Sequence, residues 1–158
     1  MTPTSLRSHA FRIQTGDEDL PADRFNHHVN NARFFHFINL TFQSWYLAMN
    51  IRGGVPEHSA MMAHLSYDFL SELKPPSLAE CRIEVCRIGN TSLEHQIEMF
   101  DLGHDGDQPP RLVGRGRAVH VWVHAKTRSK KPWPAEVLAR FWDADDLPLD
   151  IWFPVGKF

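Results

Sequence analysis

The longest hydrophobic pattern in the chain starts at Asn30 and runs to about Arg52, where Gly53, Gly54 and Pro56 stop it. Apolar residues such as Phe34, Phe37, Ile38, Phe42, Trp45 and Met49 cover most of its helical circumference. Its polar residues, Arg33, His36, Asn39, Gln43 and Asn50, fall on one narrow stripe. The pattern predicts a single helix of roughly 34 Å at 1.5 Å per residue, buried on most of its surface. A helix of that kind in a small domain needs a wrapper.

The remaining patterns have the two-residue period of strands. Phe11 and Ile13 alternate with Arg12 and Gln14 in a short strand over His9 to Thr15, followed by a polar, acidic loop over Gly16 to Asn26. Strands are predicted over Ala63 to Leu70, Cys81 to Ile88, Ser92 to Phe100 and Leu112 to His124. Lys74-Pro75-Pro76 breaks the first of these, and Gly103 to Pro110 is turn chemistry. Short connections between the later strands favour antiparallel pairing. The order predicts an α+β fold, an antiparallel sheet curled around one central helix.

Composition changes this picture little. The chain has 158 residues, 17 basic and 19 acidic side chains, and a net charge of −2. That length suits one domain, and that charge provides no basic field for nucleic acid or an anionic membrane. No run of eighteen apolar residues occurs without polar interruption, so no transmembrane helix is expected. No secretory leader is read at the N-terminus. Cys81 and Cys86, five apart on one strand, point to opposite faces and read as structural thiols of a reducing compartment. A cytoplasmic protein is expected.

Chemistry concentrates in Asp23-Arg24-Phe25-Asn26-His27-His28-Val29-Asn30-Asn31, at the mouth of the long helix. The unpaired N–H groups and positive dipole end of a helix N-terminus favour an oxygen gaining negative charge. A carboxylate beside them activates water or attacks a carbonyl itself. An imidazole orients that acid or protonates a leaving group. Asn30 and Asn31 read first as helix caps. Among the other histidines, His95 reads as a satisfied core residue and His36 as a subunit contact. His120 and His124 stand about 13 Å apart on a strand, too far to share a metal, and no set of side chains has convincing metal spacing.

His28-Val29-Asn30-Asn31-Ala32-Arg33-Phe34 resembles the helix-start motif of the hotdog-fold thioesterases. These are the 4-hydroxybenzoyl-CoA thioesterase-like proteins and their acyl-carrier-protein thioesterase relatives. Ala63 to Leu70, Arg87-Ile88-Gly89-Asn90-Thr91-Ser92, Arg115 to Val123 and Lys131 to Val137 resemble later segments of that family in the same order. The resemblance implies a single hotdog domain over residues 1–142. Residues 143–158, with Ile151, Trp152, Phe153 and Phe158, then form an extension packing on the body or on a partner subunit.

The family motif carries an acid four residues before the histidine, where this chain has Arg24. A one-residue shift in the loop lets Asp23 supply the carboxylate. The resemblance therefore implies hydrolysis of an acyl thioester, on acyl-CoA or on an acyl-carrier protein. Asp23 is the expected base or nucleophile, Asn26 orients water or the carbonyl, and His28 orients the acid or helps the thiolate leave. His27, Asn31 and Arg24 are expected to bind substrate. Should Asp23 fail in this role, Asp68 and Glu57 are the next carboxylates to consider. No cofactor and no metal are needed, and the family's shared acyl site implies a homodimer or homotetramer. An enoyl-CoA hydratase or dehydratase, and a non-catalytic acyl-binding hotdog with Arg24 in place of the acid, are the two rival readings.

Overall fold

The computed structural model describes residues 7–22, 26–48 and 58–141. The chain forms five strands: β1 (Ser8–Thr15), β2 (His58–Phe69), β3 (Ser77–Ile88), β4 (Ser92–Asp101) and β5 (Arg111–His124). They form one sheet in the order β1-β3-β4-β5-β2, and every neighbouring pair is antiparallel. Helix α1 (Asn31–Ala48) lies between β1 and β2 in the chain, so it joins the two edges of the sheet and packs on one face. A short helix, α2 (Ala135–Leu138), follows β5 and had no counterpart in the periodicity. The architecture is α+β with an antiparallel sheet about one helix, as predicted.

Two readings need correction. Strand β2 begins at His58, five residues before its expected start, because its first half is ladder-paired to β5 although its side chains do not alternate in burial. The helix is not buried on most of its circumference. Phe34, Phe37, Ile38, Thr41, Phe42 and Trp45 face the sheet, while Phe35 and Leu47 stand open. One layer of sheet covers one face of a helix, and nothing else in the described chain covers the other. The expected helix end and Glu57 fall among residues 49–57, and the C-terminal extension after Asp143; both lie outside the described residues.

Inward residues of β3, β4 and β5 make the floor of the core beneath α1, among them Cys81, Ile83, Ile97 and Met99. Both cysteines are free thiols, and burial pushes Cys81 up to about 12. Under the C-terminal half of α1 the core contains two imidazoles, His95 and His120, with ring centroids 5.3 Å apart. Phe42 covers both, at 5.0 and 4.3 Å, and Trp45 stands 4.7 Å from His95. His95 is a core residue as expected, but not a satisfied one. Among the described residues, neither of its ring nitrogens nor Nδ1 of His120 has a hydrogen-bond partner. Burial holds His120 down at about 4. Burial, with repulsion from His120, lowers His95 well below its usual value.

Candidate active site

The start of α1 is pinned on both sides. Asn30 donates its backbone N–H to the Asp19 carbonyl at 2.8 Å, and Val29 donates to the Leu73 carbonyl at 2.7 Å. The Asn30 side-chain oxygen accepts from the Ala32 amide at 3.0 Å, which is the capping role expected of it. The loop after β2 is held as firmly. Arg111 donates to the Glu72 carbonyl at 3.0 Å, to Asp101 Oδ2 at 2.7 Å and to the Ser71 hydroxyl. Burial raises the Asp101 carboxyl, but hydrogen bonds from Ser77, Gly103 and Arg111 outweigh it and keep the group below its usual range.

Between these two braced segments opens a cleft of about 250 Å³, small enough for a short acyl group. Its polar wall is His28, Asn31, Ser71 and Glu72; its apolar wall is Val29, Phe34, Phe69, Leu70 and Leu73. His28 donates Nδ1–H to the Val29 carbonyl at 3.0 Å. A carbonyl only accepts, so the neutral ring carries its proton on Nδ1 and offers Nε2 as an acceptor. The cleft therefore joins a fixed imidazole, a helix N-terminus and an apolar slot.

Of the residues singled out in the sequence, the cleft brings together His28 and Asn31. Asn26 and His27 are exposed and do not line it. Asp23 and Arg24 lie outside the described residues. Asp68 is exposed, paired across the ladder with Arg115, and is not on the cleft, so it is no substitute acid. Its neighbours on β2, Tyr67 and Phe69, take the inward parity instead.

Sequence reasoning passed over two carboxylates. Glu72 lies on the cleft, 44 residues after His28 in the chain, and only the docking of the two loops unites them. Asp19 is buried beside the start of α1, but both its oxygens are engaged. Oδ1 accepts from Arg33 Nε at 2.6 Å and Oδ2 from the Gly16 amide at 3.0 Å. It braces the loop against the helix. The acidic run Asp17-Glu18-Asp19 was the available signal.

An antiparallel sheet on one long helix, with a cleft where that helix begins, is the hotdog architecture. The chain belongs to the thioesterase-like superfamily, whose profile matches residues 13–141. Comparison with curated proteins found no match. Among solved structures, a Pseudomonas aeruginosa protein is 23% identical, with TM-score 0.69, covering 84% of this chain and 88% of its own. The 1,4-dihydroxy-2-naphthoyl-CoA thioesterase of Synechocystis is 15% identical, with TM-score 0.73, covering 89% and 99%. A 4-hydroxybenzoyl-CoA thioesterase variant bound to its substrate is 8% identical, with TM-score 0.71, covering 86% and 99%. At such identities the likeness establishes the fold.

Proposed function

We propose that this protein hydrolyses acyl thioesters, with acyl-CoA ahead of acyl-carrier protein as substrate. The observation that carries the reading is the cleft at the start of α1, where His28 and Asn31 face an apolar slot of Phe34 and Phe69. The thioester carbonyl lies at the helix N-terminus, its oxygen turned to backbone N–H groups. Asp23 accepts a proton from water as the hydroxyl oxygen attacks the carbonyl carbon, or attacks that carbon itself. The C–S bond then breaks: in the first case Asp23 returns its proton to the departing thiolate, and in the second water hydrolyses the acyl–Asp23 anhydride, restores the carboxylate and supplies the thiolate's proton. His28 Nε2 accepts a hydrogen bond from the water or from the protonated acid, and Asn26 orients the same groups. His27, Asn31 and Arg24 contact the substrate. No metal or cofactor enters this scheme.

The active unit in this proposal is a homodimer or a homotetramer. Strand β2 supports it: twelve residues long, at the edge of the sheet, with Met61, Met62 and Phe69 exposed on it and Leu70 exposed just beyond it. A long apolar edge of that kind pairs with another strand or aggregates, and a second copy of β2 covers it symmetrically. Residues 143–158 pack on this body or on the partner. The two unpaired thiols support a reducing, cytoplasmic setting. Among the described residues no helix is long and apolar enough to cross a membrane.

A thiol-release assay over short, long and aromatic acyl-CoAs tests the reading. Free CoA is the expected product. Hydration of an enoyl-CoA without thiol release replaces the reading with a hydratase, and binding without turnover replaces it with an acyl carrier.

A further inference from the structure

Two rings that line the cleft, Phe34 and Phe69, both pack on Tyr67, at 5.7 and 5.0 Å between centroids. Tyr67 is thus the next side chain inward from the apolar slot. Its ring lies flat across β5, over Gly114 and Gly116. A methyl group added at Gly114 would collide with the Tyr67 hydroxyl; one at Gly116 would collide with the Ser66 carbonyl oxygen and stand 3.1 Å from the Tyr67 Cδ2. The two glycines make a trough that admits a six-membered ring. A phenylalanine would fill that trough as well.

The hydroxyl needs a separate explanation. It is buried, and no group among the described residues hydrogen-bonds to it. An orphaned buried hydroxyl costs stability that the phenylalanine would not. The other orphaned groups named above, His95 and His120, are sealed under the far half of α1. Tyr67 alone of these adjoins the cleft, and the wall between them is movable, since Phe69 is 42% exposed. We propose that Tyr67 determines acyl specificity: its hydroxyl hydrogen-bonds an oxygen at the far end of the acyl group, once Phe69 swings aside. The substrate class is then a short acyl thioester bearing a neutral oxygen at its end remote from the carbonyl. This rests on the thioesterase reading only for the word substrate; the binding site stands without turnover.

Two CoA thioethers, which cannot be hydrolysed, make the test: S-heptyl-CoA and its isosteric partner S-(ω-hydroxyhexyl)-CoA. Calorimetry on the intact protein should find that Tyr67→Phe lowers affinity for the hydroxylated ligand, relative to the plain one, by about tenfold. Unchanged relative affinity overturns the proposal, as does failure of the wild-type protein to bind either ligand. Phe69→Ala, which opens the wall, should preserve or raise the preference for the hydroxylated ligand; its loss there overturns the route past Phe69. Should the thioethers be discriminated while no acyl-CoA releases thiol, the thioesterase reading falls and the specificity site remains.

Discussion

Two pairs of histidines stand at opposite ends of α1 and show how differently one residue type is used. His27 and His28 precede the first turn, where His27 is exposed and His28 half-buried. His95 and His120 lie beneath the last turns, sealed by Phe42, Trp45 and Tyr46. At the open end, a backbone carbonyl holds His28 in one tautomer and leaves the second nitrogen to a ligand. At the closed end the rings are buried, with both nitrogens of His95 and Nδ1 of His120 unpartnered among the described residues, and burial keeps them neutral. Access separates a chemical role from a structural one. Imidazole content does not.

The largest expected effect addresses the open end. Asp23→Asn should lower turnover by roughly 10²–10⁴-fold, the usual scale for loss of a general base, with the melting temperature unmoved. Full thiol release by this variant would remove Asp23 from the reaction and direct attention to Glu72, the carboxylate found on the cleft.

The next contrast breaks the comparison directly. His28→Ala should reduce kcat while the protein melts where the wild type does. His95→Ala should instead leave a cavity and cost about 2–5 kcal/mol of stability, the range for truncating a large buried side chain. Thermal unfolding and steady-state kinetics on both variants check this. Equal losses of stability in the two would erase the distinction drawn between the two ends.

Asp19→Ala sharpens the contrast from the structural side. It strands the Arg33 guanidinium and the Gly16 amide. Because Arg33 is partly exposed, the cost should be about 2 kcal/mol, below the range for a fully buried pair. Urea unfolding measures it.

The last effect is a slope with pH. In the unfolded chain His120 titrates near 6.5, whereas in the fold it is held at about 4. Between those values the unfolded state takes the proton first, so folding stability is complete above about pH 6.5 and declines as pH falls towards 4. His95, lowered in the same direction, steepens the decline. His120→Gln should flatten it, as read from urea midpoints at successive pH values.

The local patterns of this chain were enough for the strands, the helix, their order and the family resemblance. Alternation at i, i+2 and the helical repeat arise from neighbours in sequence, and they mark the observed elements except the first half of β2, which pairs with β5 without alternating in burial. The motif from His28 to Phe34 likewise placed an imidazole at a helix start without reference to any distant residue.

What tertiary structure alone decided concerns partners far apart in the chain. Glu72 joins His28 because Val29 docks on Leu73 and Arg111 clamps the loop between. Asp19 is withdrawn from chemistry because Arg33, fourteen residues later, occupies its oxygen. Tyr67 lies in a glycine trough because the β2–β5 register sets it opposite Gly116. The open face of α1 and the unsatisfied His95 follow from the area that one sheet can cover. None of these has a local signature, because each depends on strand register and loop docking, which the whole chain settles together.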